Sequence, residues 1–238
     1  MSNPYFKFKQ FIVYHDQCAM KVGIDGVLLG AWTEVFATDE NILDIGTGSG
    51  LIALMLAQRS DAKIDAIDID EGAFKQSVFN ISSSKWKDRM NVYHTSLQAF
   101  CNKSTDKYDL IVSNPPYFIS SLKAPEKSRS TARHTDYLSH EDLLESSIKI
   151  LKKTGRICLI LPVDEGMQSV KYAESLNLFC NKMALVHPKP SSIAKRILLE
   201  FGFNNQDTLT SKIEIETEQR HIYSTEFSAL LKDFYLKL

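Results

Sequence analysis

The stretch SNPPY places two prolines between an asparagine and an aromatic residue. Because proline fixes its own φ and donates no backbone hydrogen bond, Pro115 and Pro116 end any regular element at Asn114 and leave a stiff turn. The Asn114 side-chain oxygen and the freed Pro115 carbonyl are then two fixed acceptors, able to grip both N–H hydrogens of an exocyclic amine. Such a grip would aim the nitrogen lone pair and disperse the positive charge that develops during group transfer. Tyr117 adds an aromatic face on which a base can stack.

A second candidate site is the glycine turn in LDIGTGSGL, which carries Gly46, Gly48 and Gly50. It lies where a strand-like run gives way to a helical pattern, and open α/β sheets bind ligands at that position. Its spacing, G-x-G-x-G, differs from the G-x-G-x-x-G of nicotinamide-binding turns. The turn predicts a ligand close to the backbone, although a tight strand-to-helix connection alone would also explain it.

The following strand pattern ends in AIDID, which offers Asp68 or Asp70 as an acid for the hydroxyls of a ribose. Asp68 is the better candidate, since Asp70 is expected to be the N-cap of the next helix. A glycine turn and a ribose acid without the dinucleotide pattern indicate a nucleoside cofactor that lacks a pyrophosphate. S-adenosylmethionine is the obvious one.

Strand-like and helical patterns alternate along most of the chain, which predicts a parallel sheet with helices on both faces. The long helix SHEDLLESSIKILKKTG is expected to open at Ser139 and to close at Gly155. The last two strand patterns have no obvious helix between them. We therefore predict a doubly wound, mostly parallel α/β sheet of seven strands, with an antiparallel strand at its edge. One domain is expected, with a leader over residues 1–35 that covers the active site, a Rossmann-like core over 41–203 and an extension over 204–238.

By composition, the chain is an ordinary globular protein of 238 residues, 44% apolar and 24% charged, with a formal net charge of -1. That charge argues against a uniformly basic nucleic-acid coat but leaves local patches open. The four cysteines form no C-x-x-C pair, so we expect free thiols and neither a zinc nor a redox site. No signal peptide and no apolar run of about 18 residues is present, and a cytoplasmic location is expected.

Together, LDIGTGSG, AIDID and NPPY resemble the class I S-adenosylmethionine-dependent methyltransferases that act on amino groups. The stretch HDQCAMKVGIDGVLLGAW, residues 15–32, closely resembles the amino-terminal motif of bacterial tRNA1(Val) (adenine(37)-N6)-methyltransferases. The tail YSTEFSALLKDFYLKL resembles the carboxyl end of that family. The resemblance implies a class I methyltransferase fold, S-adenosylmethionine as cofactor, no metal, and methylation of N6 of adenosine 37 in the anticodon loop of a tRNA.

The resemblance also implies roles for individual residues. The catalytic set that binds the target adenine is Asn114, Pro115 and Tyr117. The cofactor-binding set is Lys21, Gly23, Asp25, Asp44, Gly46, Gly48, Gly50, Asp68, Ser96 and Asn114. Ser96 departs from the family, which usually has an acid there for the adenine amine of the cofactor, so a hydroxyl or backbone group is expected to replace it.

A long polar stretch after the proline turn, ISSLKAPEKSRSTARHTDY, is expected to bind the substrate RNA through its cations. The substrate-binding set is Pro116, Phe118, Lys123, Lys127, Arg129 and Arg133. Lys7 and Lys9 in the leader, and Lys189, Lys195 and Arg196 near the last hairpin, are expected to extend this basic track. A monomer or a weak homodimer is expected.

Three other functions remain open at the level of sequence. A protein-glutamine N5-methyltransferase would use the same turn to hold a side-chain amide, but normally carries a helical substrate domain before the glycine strand. An rRNA guanine-N2 methyltransferase is the second alternative. The third is a non-catalytic RNA-binding module that retains the fold, and the intact glycine turn, ribose acid and proline turn argue against it.

Overall fold

The computed structural model describes residues 3–18, 20–116 and 138–237. The strands are β1 (Tyr5–Lys7), β2 (Ile12–Tyr14), β3 (Asn41–Ile45), β4 (Lys63–Asp68), β5 (Met90–His94), β6 (Tyr108–Ser113), β7 (Leu151–Pro162), β8 (Phe179–His187), β9 (Arg196–Gly202) and β10 (Leu209–Glu214). The helices are α1 (Ile24–Trp32), α2 (Leu51–Arg59), α3 (Glu71–Ser82), α4 (Leu97–Lys103), α5 (His140–Ile150), α6 (Val163–Ser175) and α7 (Thr225–Leu231). A search of the described residues found no helix long and apolar enough to cross a membrane.

The main sheet has eight strands in the order β10-β8-β9-β7-β6-β3-β4-β5, and a separate hairpin joins β1 to β2. All of its neighbouring pairs are parallel except those of β9, which is antiparallel to β7 and to β8. The central strands are nearly continuous apolar runs, and all six residues of β6 are buried. Such runs are typical of parallel strands covered on both faces.

Two apolar clusters cover the two faces of this sheet. One unites the inner face of the β1–β2 hairpin with α1, α2, α3 and α7, through residues such as Val13, Leu28, Leu54 and Phe227. The other packs α4, α5 and α6 against the opposite face, through residues such as Leu143. Six consecutive residues of α1 and seven of α2 are buried, whereas α5 and α6 each bury one side, and this packing holds the carboxyl ends of β3, β4 and β6 at one fixed edge.

The predicted α/β fold class is confirmed, but two details of the predicted sheet differ. It has eight strands rather than seven, because β10 pairs with β8 in parallel. The antiparallel strand β9 lies inside the sheet, between β7 and β8, and not at its edge.

The predicted boundary of the long helix was wrong at its carboxyl end. Ser139 caps α5 by accepting a hydrogen bond from Asp142 N at 3.0 Å, as expected. The helix nevertheless ends at Ile150, and β7 begins at once because Leu151 pairs with Tyr108 of β6. Pairing with a buried central strand overrides the helical preference of the lysines that follow.

Candidate active site

Three loops meet at one edge of the sheet, where β3, β4 and β6 end side by side. In the parallel registers, Ile45 of β3 lies opposite Ile67 of β4 and opposite Ser113 of β6. The residues that follow these three positions begin the glycine turn, the acidic turn and the proline turn. The register therefore brings the three sequence motifs together.

The glycine turn is held by backbone bonds to the neighbouring strand. Gly46 N and Thr47 N both donate to Ile67 O, at 2.9 and 3.0 Å. Gly48 has a φ of +57°, and a Cβ built there would meet nothing within 4 Å. The positive φ favours glycine, and the open space beside it lets a ligand approach the backbone.

Asp68, at the end of β4, stabilises the glycine turn through hydrogen bonds. Its carboxylate accepts hydrogen bonds from Gly48 N at 2.8 Å and from Asp70 N at 2.9 Å. Burial raises the pKa of Asp68, and these two bonds oppose that shift. Asp70 accepts from Ala73 N at 2.8 Å, which makes it the N-cap of α3 as predicted.

Asp44, the last but one residue of β3, lies fully buried beneath the same turn. Its Oδ2 accepts from the Thr47 hydroxyl at 2.6 Å and from Ala53 N at 3.1 Å. Its Oδ1 is buried and has no hydrogen-bond partner among the described residues. Burial raises the pKa of Asp44 from 3.8 to about 7. An acceptor in this position is suited to a cationic donor.

The proline turn lies beside the amino end of α1. Ser113 fixes the end of β6 by donating from its hydroxyl to Ile45 O at 2.8 Å. Asn114 is partly exposed, Pro115 is buried and Pro116 is exposed. A Cβ built on Gly26 of α1 would lie 4.0 Å from Asn114 Nδ2, so α1 forms one wall of this turn.

Several predicted substrate residues follow this turn directly. Tyr117, Phe118, Lys123, Lys127, Arg129 and Arg133 lie outside the described residues. Their roles stay predictions.

The leader lies close to the acidic turn. Burial raises the pKa of the Cys18 thiol to about 11, and the negative charges of Asp68 and Asp70 add to that shift. Gly23 is the N-cap of α1, and because glycine has no side chain, no side-chain hydrogen bond caps this helix. Lys21 is exposed at this end of the leader.

Asp25 follows in the first turn of α1, where its Oδ2 accepts from Arg196 Nε at 2.9 Å. This ion pair ties α1 to the start of β9. Arg196 is therefore engaged within the protein, although the sequence suggested a phosphate contact for it.

Ser96 lies at the end of the next strand along the edge. Its hydroxyl oxygen accepts from Ala99 N at 3.2 Å, which makes Ser96 the N-cap of α4. Thr95 N donates to Asp68 O at 2.9 Å and keeps this turn beside Asp68. The cap accounts for the oxygen of the Ser96 side chain, whereas its O–H hydrogen can still be donated to a ligand.

Two further residues at this edge were not found by sequence reasoning. Asn80 of α3, 2% exposed, donates to Tyr14 O and to Ser49 O at 2.8 Å each and accepts from Tyr14 N at 3.0 Å. It thereby joins the leader hairpin to the glycine turn. Ile69, directly after Asp68, is 58% exposed and leaves an apolar side chain beside the acidic turn. The position of Ile69 inside AIDID was its one available signal.

Comparison with known proteins shows similarity over the whole chain. A family model described as "Methyltransferase small domain" matches residues 27–187. The tRNA1(Val) (adenine(37)-N6)-methyltransferase of Parabacteroides distasonis is 51% identical over 239 residues, which cover 100% of both chains. The protein of the same name from Phocaeicola vulgatus is 48% identical with the same coverage.

A solved structure adds support for the fold. A predicted O-methyltransferase from Agrobacterium tumefaciens superimposes with a TM-score of 0.69 and 16% identity, covering 88% of this chain and 96% of its own. The chain belongs to the family of tRNA1(Val) (adenine(37)-N6)-methyltransferases, a family of class I methyltransferases.

Proposed function

We propose that this protein transfers a methyl group from S-adenosylmethionine to N6 of adenosine 37 in the anticodon loop of tRNA1(Val). The observation that carries the proposal is the register that places Gly46, Asp68 and Asn114 at the ends of three adjacent strands. A cofactor spanning the first two loops would present its reactive group to the third. Full-length relatives of that activity support the choice of substrate.

The residues at the first two loops fit S-adenosylmethionine. The unpartnered Asp44 Oδ1 suits an α-ammonium group, and the open space beside Gly48 admits a chain along the backbone. Asp68 retains lone pairs for ribose hydroxyls, since each carboxylate oxygen accepts a single bond from the loop. When bound, the cofactor supplies an electrophilic methyl group on a sulfonium centre.

The proline turn supplies the acceptors for the target amine. N6 of adenine is a poor nucleophile because its lone pair is delocalised into the ring. Acceptance of its two hydrogens by Asn114 and by the Pro115 carbonyl favours a pyramidal nitrogen and stabilises the charge that develops there. A separate general base is unnecessary, because the methylated amine releases its proton to water. Tyr117 is proposed to stack on the flipped adenine.

The direct test uses the purified protein, methyl-labelled S-adenosylmethionine and total tRNA from a strain that lacks its own copy of this enzyme. After digestion, label is expected in N6-methyladenosine from one valine tRNA. In parallel reactions on ribosomes and on a protein extract from the same strain, label in N2-methylguanosine of rRNA or in protein glutamine would move the function to one of the alternatives. Cofactor binding without transfer to any of these would support a non-catalytic module.

A pair of variants tests the assigned roles. Asn114→Ala removes one acceptor and is expected to lower kcat about a hundredfold while the Kd for S-adenosylmethionine changes little. Asp68→Ala is expected to raise that Kd about tenfold or more, because both the ribose acceptor and the brace of the glycine turn are lost. Single-turnover kinetics and calorimetry measure the two effects separately. The opposite pattern would overturn both assignments.

A further inference from the structure

The turn between β8 and β9, residues 188–195, is built as a compact unit. His187 Nδ1 lies 2.8 Å from Ser192 O, and the Ser192 hydroxyl donates to Lys189 O at 2.7 Å. Lys195 N donates to Val186 O at 2.9 Å. The turn nonetheless exposes an isoleucine, since Ile193 is 73% exposed.

This turn lies at the rim of the proposed active site. β8 runs parallel to β10 and antiparallel to β9, and Pro162 at the end of β7 pairs with Arg196 at the start of β9. Arg196 in turn binds Asp25 at 2.9 Å, and the next residue of α1, Gly26, lies beside Asn114. One short chain of contacts therefore connects the turn to the proline turn.

The charges of the turn favour the binding of RNA. Neither Lys189 nor Lys195 has an ion-pair partner among the described residues, so both ammonium groups are available to phosphates. Two acidic residues contact the turn: Glu218 accepts from Ser191 N and from its hydroxyl at 3.0 and 3.1 Å, and Glu216 N donates to Pro188 O at 3.0 Å. An exposed isoleucine alone would mean little, because single apolar residues are common on protein surfaces.

The position of Ile193 and the positive charges beside it indicate a function for its side chain. A base that reacts at its exocyclic amine must leave the stack of its neighbours, and proteins that unstack bases can insert an apolar side chain between them. Resting on the proposed function, we infer that Ile193 enters the stack of the tRNA anticodon loop where the target adenine leaves it, while Lys189 and Lys195 hold the flanking phosphates. Ile193 would then be a specificity residue for single-stranded RNA that touches neither the cofactor nor the methyl group.

The test uses the full chain and a synthetic anticodon stem-loop of tRNA1(Val), with adenine at position 37 for turnover or 2-aminopurine there for fluorescence. Ile193→Ser is expected to lower kcat/KM about tenfold and to remove most of the fluorescence rise that accompanies unstacking at saturating protein. Ile193→Leu keeps an apolar wedge and should retain most of both signals. The Kd for S-adenosylmethionine should stay unchanged in both variants.

Leu209→Ser is the matched control, because Leu209 is a 63% exposed apolar residue at the start of β10, on the opposite edge of the sheet. It should behave as the parent protein does. Lys195→Ala should weaken stem-loop binding and flatten its salt dependence, whereas Lys63→Ala, at the start of β4, should do neither.

The outcomes separate this inference from the proposed function. Turnover and fluorescence equal to the parent in Ile193→Ser would overturn the wedge while the reaction stands. Weaker binding with an unchanged fluorescence rise at saturation would reduce Ile193 to an ordinary contact and also overturn it. A parent that methylates nothing, yet unstacks 2-aminopurine in an Ile193-dependent way, would overturn the reaction and support the wedge. A parent that neither methylates nor unstacks the base would overturn both.

Discussion

At the scale of single residues, the buried carboxyl of Asp44 predicts a conflict between stability and cofactor binding. Its pKa is raised to about 7 by burial, so the folded protein holds a proton that the unfolded chain releases at lower pH. Stability is therefore lost as the pH rises towards 7, and the full cost is present above it. Asp44→Asn should stabilise the cofactor-free protein at pH 8 by on the order of 1–3 kcal/mol and change it little at pH 3.5. Urea unfolding at the two pH values measures this.

The same substitution should weaken cofactor binding, because a neutral amide replaces the acceptor proposed for the α-ammonium group. At pH 8 we expect the Kd for S-adenosylmethionine to rise about tenfold or more. Asp61→Asn, which changes an exposed carboxyl, should stay within about 0.5 kcal/mol of the parent protein. A less stable Asp44→Asn protein at pH 8 would contradict the buried-charge interpretation.

Sequence reasoning predicted residues whose role is local and did less well with residues paired across the fold. The cap at Asp70 follows from its own helix, and the structure confirms it. The ion pair between Arg196 and Asp25 joins residues 171 positions apart, and no local pattern encodes it. Asn80 was missed for the same reason, since its partners lie in the leader and in the glycine turn.

At the scale of elements, the strands with near-continuous apolar runs were predictable, whereas boundaries set by pairing were not. β6 could be recognised in the sequence from its largely apolar run, and all six of its residues are buried in the structure. The end of α5 is fixed by the pairing of Leu151 with Tyr108, which only the folded sheet provides. The leader helix α1 packs its small residue Gly30 against Met55 of α2, and this tertiary contact was invisible in the chain alone.

The connection between elements can be tested at Asn80, because its side chain joins α3, the β1–β2 hairpin and the glycine turn. Asn80→Ala leaves three buried backbone groups of Tyr14 and Ser49 without this partner. We expect a loss of about 2–4 kcal/mol in the free energy of unfolding and weaker binding of S-adenosylmethionine through a looser glycine turn. Urea unfolding and calorimetry on the same preparations measure both.

A side-chain amide that makes one hydrogen bond elsewhere in the protein provides the control for Asn80. Gln58 donates to Asp233 O at 2.9 Å and contacts neither the leader nor the glycine turn through this bond. Gln58→Ala should cost less than about 1 kcal/mol and leave the cofactor Kd unchanged. Equal effects of the two substitutions would refute a specific role for Asn80.

At the scale of the whole molecule, the chain ends meet on one face of the sheet. Lys9 N donates to Phe234 O at 2.8 Å, and the rings of Phe6 and Tyr235 lie 5.5 Å apart. Composition could indicate a single apolar core but not which distant segments share it. The division into leader, core and extension stays a prediction, and these contacts join the predicted leader to the predicted extension.

Arg156 of β7 offers a whole-molecule prediction, because it unites distant segments at the edge opposite the candidate site. Its guanidinium binds Asp39 at 2.9 Å, lies 3.8 Å from Glu200 of β9 and covers the ring of Phe36 at 4.1 Å. Burial already raises the pKa of Glu200, and the positive charges of Lys182 and Arg156 oppose that shift. Arg156→Met would leave two buried carboxyls without this cation, and we expect a loss of about 3–5 kcal/mol.

That loss should be smaller at pH 5 than at pH 8, because removal of the cation raises the pKa of Glu200 further and protonation then relieves the buried charge. Lys63→Met is the control, since Lys63 is exposed at the start of β4 and such surface substitutions usually change the free energy of unfolding by no more than about 0.5 kcal/mol. Urea unfolding of both variants at the two pH values measures the difference. Methyl transfer per folded molecule at 20 °C should match that of the parent protein in both variants, because neither residue lies at the edge that binds the cofactor. A stable Arg156→Met protein with lower turnover would instead place this ion-pair cluster in communication with the active site.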